Sequence, residues 1–313
     1  MTDTPLGRIV EIAENGRHLG KHRGFLTVSA EGNEIGRVPL DDLAAVIASA
    51  PGTTTSCVLL AELAERGIPF AVCGRNFAPA ALLWPTETHH AQQRRMEAQL
   101  SASKMLADKL WAQVVASKIV RQGVTLSIVG ARSGAFSRLA RSVRPGDPEN
   151  IEAQASRRYW PLMFGPDFRR DTNGGGVNSL LNYGYAVLRA ATARAIAAAG
   201  LHPGLGIFHR HPHNMMPLAD DLMEPFRPEI DLTVHRLIGA GVSEVDPDAK
   251  RTLVDALAAP LAMERSTSPL STTLMRLGQS LAESYMTGVP SLHLPGGRVS
   301  VLAIDSGSAS DPG

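Results

Sequence analysis

Between residues 7 and 83 the apolar positions come in short bursts of branched and aromatic side chains, a spacing that suits strands. The bursts Arg8–Ile12, Phe25–Val28, Glu34–Val38 and Ala44–Ala48 are separated by Asn15-Gly16, Gly32-Asn33 and Asp41-Asp42, residue pairs that accept the backbone angles of tight turns. One helix interrupts them. Ser56–Arg66 sets Val58, Leu59, Leu63 and neighbouring alanines on one helical face, and Gly67 is placed to cap its C-terminus. Strand spacing returns in Pro69–Cys73 and Ala80–Trp84. From His90 the period lengthens. Met96, Leu100, Met105, Leu106, Leu110, Val114 and Val115 recur three and four residues apart, which predicts long helices. Gly123, Gly130, Gly134 and the run Pro145-Gly146-Asp147-Pro148 are expected to divide that stretch, and the small residues of Ala186–Ala199 suit a helix in the middle of a bundle. The expected fold is α+β: a β-rich domain over residues 1–86, a larger all-α domain over 87–305, and a disordered tail at 306–313.

Composition narrows the class without choosing a function. With 313 residues, 44% hydrophobic and 19% charged, the chain can bury one large or two modest cores and is not of the disordered type. No run approaches the ~18 apolar residues of a membrane span. The start, MTDTPLGRIVEIAENG, has no basic segment leading into an apolar one, so no signal peptide is expected. Cys57 and Cys73 both lie in apolar runs and are expected as buried, reduced thiols of a cytoplasmic protein. The net charge of +1 hides a local excess: from Lys118 to Arg170 ten Lys and Arg stand against four acids, a balance of +6. Such a stripe either neutralises nucleic-acid phosphates or forms a solvated helical face, and charge alone does not decide. The nearness of Glu152 favours DNA, with Arg157, Arg158, Arg169 and Arg170 as candidate contacts.

Candidate chemistry gathers at three places. In 218–228 Pro217 suits a first helical position, Asp220 and Asp221 follow in the first turn, and Asp221 and Glu224 share a helical face. Pro225 puts Glu224 at a helix end or kink. Leu218, Leu222, Met223 and Phe226 would press these carboxylates together unless a positive charge offset their repulsion, as a metal ion would. His209, His211 and His213 alternate, so a strand would aim all three to one side as a zinc site for a hydrolase. Pro212 and Asn214 favour a surface loop for His211 and His213. Gly174-Gly175-Gly176 has neither a preceding strand nor a following Gly-Lys-Ser/Thr and reads as a connector. Tyr183, Tyr185 and Trp160 have the chemistry to stack on bases, but in such apolar helices they are expected in the core. One imidazole with two or three carboxylates suits Mg2+ or Mn2+ better than structural zinc.

Taken in order, NIEAQASRRYW (150–160), LLNYGYAVLRA (180–190), GIFHRHPHN (206–214) and LADDLMEPFRP (218–228) resemble the CRISPR-associated adaptation integrase, the DNA-capturing subunit often called Cas-one, in the variant from systems with a single large effector nuclease. The likeness extends over most of residues 90–285, including KLWAQVVASKIVRQ (109–122), YWPLMFGPDFRRD (159–171) and STTLMRLGQSLAESYMTG (271–288), while the N-terminal part agrees only in its β-rich pattern. Specificity lies in the joint occurrence, since a lone Asp-x-x-Glu says almost nothing. The family's glutamate before an Ala-rich turn and an Arg-Tyr-aromatic pair is matched by Glu152 ahead of Ala153, Ala155, Arg158, Tyr159 and Trp160. Its histidine is matched in Gly206-Ile207-Phe208-His209, and its acidic element by Asp221 and Glu224. The chain departs from the pattern at Phe208, where relatives often carry a second histidine, and at Met215-Met216-Pro217, which replaces a more aromatic step.

The resemblance implies that Glu152, His209 and Glu224 are catalytic and hold Mg2+ or Mn2+, with Asp221 either a fourth ligand or a carboxylate orienting His209 or a metal-bound water. It implies a homodimer, two of which flank a dimer of the small adaptation subunit, Cas-two. Its reaction is insertion of short foreign DNA fragments into the leader-proximal CRISPR repeat by attack of a 3′-hydroxyl on a phosphodiester. Whether the effector nuclease joins the complex stays open. The rival readings are a metal-dependent DNA phosphodiesterase without integration and a non-catalytic DNA-binding scaffold whose acidic cluster is structural.

Overall fold

The computed structural model describes residues 8–74, 79–85, 89–262 and 267–296; the expected domain boundary near 86 and the expected tail at 306–313 lie outside them. Two four-stranded sheets form the N-terminal part. In the first, β1 (Arg8–Ile12) and β7 (Phe70–Cys73) both pair in parallel with β5 (Leu43–Ala48), and β8 (Pro79–Leu83) joins β7 antiparallel. In the second, β2 (Arg17–His22), β3 (Phe25–Ala30) and β4 (Asn33–Pro39) form an antiparallel meander, and the short β6 (Thr54–Thr55) adds in parallel to β2. Strand β2 escapes hydrophobic patterning because Leu19 is the single strongly apolar residue in RHLGKH. That one side chain is fully buried, and pairing on both edges supplies the rest. The Asp41-Asp42 turn is one turn of 3-10 helix, Leu40–Asp42.

Helix α1 (Cys57–Glu65) opens on Ser56, whose hydroxyl accepts from the Leu59 amide at 3.3 Å, and closes on Gly67 at φ +62°. Leu59 and Leu63 face inward, but Cys57 and Val58 are exposed, contrary to the expected face. Three- and four-residue spacing from Leu59 and Leu63 defines the buried stripe, and the first two residues of the helix fall outside it. Cys73 is partly buried, and both thiols are free.

Alternation along β5 joins the two parts of the molecule. Val46 and Ala48 pack into the N-terminal core under α1, while Ile47, on the other face, belongs to the core of the helices, where Ile9, Cys73, Leu82 and Trp84 also pack. The helical part comprises α2 (Gln92–Leu100), α3 (Lys104–Ile128), α4 (Gly134–Ser142), α5 (Ile151–Phe164), α6 (Val177–Ala198), α7 (Pro217–Met223), α8 (Arg227–Gly239), α9 (Pro247–Asp255) and α10 (Leu270–Thr287). Gly123 does not end a helix: α3 runs through it, and a Cβ there would lie 3.0 Å from the Cβ of Phe136, so the glycine lets α4 approach. This part is not wholly helical. Strands β9 (Pro260–Ala262) and β10 (Thr267–Pro269) pair antiparallel, where Pro260 and Pro269 disfavour a continuous helix and Leu261 is buried. Among the described residues no helix is long and apolar enough to cross a membrane.

Candidate active site

Lys118, in the middle of α3, is the centre of a buried charge cluster. Its Nζ lies 2.5 Å from Oε1 of Glu152 and 2.5 Å from Oε2 of Glu224, with the side chains of Lys118 and Glu224 only 10% and 11% exposed. Glu152 is held at the start of α5. Asp147 accepts from the amides of Ile151 (2.8 Å) and Glu152 (2.9 Å), Asn150 accepts from Ala153, and Ser156 donates to Glu152 Oε1 at 3.0 Å. Glu224 begins the 3-10 turn Glu224–Phe226 that ends α7, as Pro225 requires. Its Oε1 lies 2.9 Å from Arg227 Nε at the start of α8. Burial opposes the charge on Glu224, but the Arg227 and Lys118 cations outweigh it and hold its pKa down at about 2. Burial likewise disfavours the Lys118 ammonium, yet Glu224 and Glu152 raise its pKa above the ordinary lysine value.

A second pair adjoins the first. His209 Nδ1 is 2.5 Å from Asp221 Oδ1, and that hydrogen bond raises the imidazole pKa, with Glu224 and Asp220 adding to it. Asp221 is fully buried and also accepts from the backbone amides of Phe208 (2.9 Å) and His209 (3.3 Å). Gly206 permits this tight loop, since a Cβ there would fall 2.6 Å from the His209 carbonyl and 3.0 Å from Asp221 Oδ2. Arg189 of α6 braces the same segment through Asp220 (2.8 Å) and Asn214 (2.9 Å). The His209 ring stands edge-on to two parallel rings, Trp111 and Phe208, whose centroids are 4.5 Å apart.

Seven residues beyond Glu152 on α5, the Tyr159 hydroxyl donates to Asp231 at 2.9 Å. Asp231 lies seven residues beyond Glu224, on α8, and also accepts from Tyr185 of α6 at 2.5 Å. Burial pushes its pKa up to about 7, against those two hydroxyls. Two cross-connections therefore link α5 to the 224–231 segment at matching spacing, one through Lys118 and one through Tyr159.

The structure thus brings Glu152 and Glu224 to one ammonium and Asp221 to His209. Among the described residues no group of three or more His, Cys, Asp and Glu side chains forms a ready-made metal cage. Patterning missed Lys118, Arg227, Asp147 and Asp231. Lys118 carried a signal: it follows Val114 and Val115 at helical spacing on a buried face, where a cation requires acidic partners. The expected basic stripe is also divided. Lys118 is internal, Arg121 is ion-paired to Glu229, and Arg170 is partly buried, bonded to Asn178 and Asn182. Arg157 and Arg158 are exposed without partners among the described residues, whereas exposed Arg169 donates to the Pro166 and Phe168 carbonyls. His211 and His213 lie exposed on a turn, as their loop reading requires. Tyr183 and Tyr185 are core residues whose hydroxyls reach Glu11 and Asp231, and Trp160 packs partly buried against Phe164 and Phe168.

Comparison with known proteins adds independent findings. The family described as CRISPR associated protein Cas1 matches residues 10–252. A protein of Neisseria meningitidis serogroup C (strain 8013), named CRISPR-associated endonuclease Cas1, is 38% identical over 258 residues, covering 81% of this chain and 84% of that protein. A casposase bound to integration product has the same fold, with a TM-score of 0.76 at 18% identity over 91% of this chain and 92% of that one. A chain of a Cas6-RT-Cas1–Cas2 complex superposes with a TM-score of 0.75 at 18% identity, over 94% of this chain and 36% of that longer one.

Proposed function

The chain belongs to the CRISPR-associated Cas1 family, and from that premise we propose that it is a metal-dependent DNA endonuclease and integrase of CRISPR adaptation that inserts short foreign DNA fragments into the repeat array. The observation that carries this reading is the convergence of Glu152 and Glu224, from distant segments, on buried Lys118 beside an oriented histidine. A scaffold would gain nothing from drawing two carboxylates together in a low-dielectric interior, where their repulsion demands a cation.

The donors fit a hard divalent ion. Glu224 Oε2 is buried without a hydrogen bond of good geometry, although the Lys118 ammonium is close by. The His209 side chain is 49% exposed, and with Nδ1 committed to Asp221 its Nε2 has no partner among the described residues. Glu152, Glu224 and His209 Nε2 would hold Mg2+ or Mn2+. When bound, the ion supplies Lewis acidity toward the phosphate and the attacking hydroxyl. Asp221 acts behind the histidine: accepting from Nδ1–H keeps the lone pair on Nε2 and fixes the ring's direction. Lys118 and Arg227 keep Glu224 ionised.

In the reaction the 3′-hydroxyl oxygen of the fragment bonds to a repeat phosphorus, the P–O3′ bond of the repeat breaks, and the departing oxygen gains a proton as the attacking one loses its own. One phosphodiester replaces another, so no external energy source is needed. Water in place of the 3′-hydroxyl gives cleavage. Arg157 and Arg158 lie five and six residues along α5 from Glu152 and are suited to hold phosphates nearby. Inserting both ends of a fragment needs two attacks on opposite strands, which a homodimer assembled with the small Cas2 subunit would provide.

The test is strand transfer and cleavage of branched DNA with Mg2+ or Mn2+. Glu152→Ala, His209→Ala and Glu224→Ala are each expected to lose more than about 100-fold of both activities while remaining folded, and chelation should do the same to the wild type. Full activity in a folded variant would remove that residue from the site. Cleavage without joining, even with Cas2 present, would favour a simple phosphodiesterase. Removing Arg157 or Arg158 should flatten the log-affinity versus log-salt slope by about 0.7–0.9 per phosphate contact. An unchanged slope would make that face merely solvated.

A further inference from the structure

Phe208 takes no part in the chemistry above, yet it stands beside it in an unusual state for so apolar a side chain. It is 46% exposed, yet tethered through its backbone and one ring face. Its amide donates to Asp221 Oδ2 at 2.9 Å, so its backbone is tied to the same carboxylate that orients His209. One face of the ring lies flat on buried Trp111, with 4.5 Å between centroids and 2° between planes. The His209 ring stands at 89° to it with centroids 5.4 Å apart. Trp111 covers one face and His209 stands perpendicular to the ring, and among the described residues no further aromatic ring packs on the opposite face.

Single exposed apolar residues are common and usually mean nothing. Its tethering distinguishes this one. A ring confined on one face and anchored through its backbone loses little conformational entropy when a flat partner covers the other, so the platform is preorganised. Nucleobases are such partners. They stack on aromatic side chains largely without regard to sequence, which suits an enzyme that must accept arbitrary fragments. The neighbouring imidazole faces the reacting phosphate in the proposed reaction, so the nucleotide flanking that phosphate is the one whose base comes within reach. Arg210, exposed on the same loop, adds positive charge beside the path of the backbone.

We propose that Phe208 is a substrate-positioning residue whose free face stacks on the nucleobase adjoining the reacting phosphate. The inference rests on the DNA-joining function proposed above. Two DNA positions share this chemistry: the 3′-terminal nucleotide of the incoming fragment and the repeat nucleotide next to the attacked phosphate.

The test uses the full chain with branched DNA carrying 2-aminopurine at one or the other position, in Ca2+ buffer, with fluorescence reporting stacking and anisotropy reporting affinity. Wild-type protein at saturating DNA should quench the probe at one of the two positions, which identifies the source of the base. Phe208→Ala should abolish that quenching and weaken binding roughly 5- to 150-fold. Phe208→Tyr and Phe208→Trp should retain quenching. Phe208→Leu, which can still pack on Trp111, should lose it, and carries the test if the alanine variant does not fold. Wild-type protein that binds DNA without quenching either probe, or quenching that survives in Phe208→Leu, overturns the stacking role and leaves the joining function intact. A wild-type chain that neither binds nor joins DNA in Mg2+ overturns the function itself.

Discussion

Glu224 and Asp231 stand seven residues apart in one helical core, both buried, and titrate in opposite senses. For each, loss of water is the largest influence and favours the protonated acid. Glu224 is ion-paired to two cations, Arg227 and Lys118, and is held at about 2; Asp231 meets two tyrosine hydroxyls, with the same cations acting after them, and rises to about 7. Burial alone therefore does not say whether a carboxylate is charged. Full charges beside it can overcome desolvation, whereas neutral donors repay only part of it. Asp221, compensated by two backbone amides and an imidazole, is a third arrangement, suited to orienting a neighbour.

Lys118→Met attacks this contrast most directly. Without the ammonium, Glu152 and Glu224 lose their shared partner, and unfolding free energy should fall by about 3–5 kcal/mol, the usual consequence of breaking a buried pair. If the two carboxylates form a divalent-cation site, Mg2+ should raise the melting temperature of this variant more than that of the wild type. Equal increments would mean that the cation binds elsewhere. Asp221→Ala comes next: metal affinity and strand transfer should fall by roughly 10- to 100-fold, because His209 loses its orienting acceptor. Unchanged affinity by calorimetry would reduce Asp221 to a packing residue.

The smallest effect on activity is expected from Asp231→Asn, whose signature is pH dependence. A raised carboxylate binds its proton in the folded state before the unfolded one does, so its stabilising contribution is full below about 4 and is lost as pH rises toward 7. For Glu224 the sign reverses, and its contribution is full above about 4.5 and is lost as pH falls toward 2. Melting temperatures across this range should show the asparagine variant without the decline between about pH 4 and 7. A decline identical to wild type would show that another group carries it.

Sequence patterning reached Glu224 and its kink because Pro217 and Pro225 are local punctuation that acts on the backbone wherever it occurs. It reached α1 through apolar spacing and a Gly stop, but not the exposure of Cys57 and Val58, since a nine-residue helix with many apolar residues leaves its buried face underdetermined. Lys118 stayed hidden for a different reason. Its partners lie 34 and 106 residues away, so its apolar helical setting could signal a buried cation but not which acids would meet it. The same holds for β2, where neighbouring strands supply what Leu19 alone cannot. Long-range partnership, rather than local preference, is what the one-dimensional pattern leaves out.

The two cross-connections between α5 and the 224–231 segment have a kinematic consequence. A single pivot joining two rods leaves them free to swing about it, whereas two pivots at equal intervals remove that swing and oppose sliding along the common axis. Glu152 and Glu224 form the upper pivot through Lys118, and Tyr159 and Asp231 form the lower. The carboxylate that touches no candidate ligand thereby braces the two segments that carry the other two, from two helical turns beneath the site.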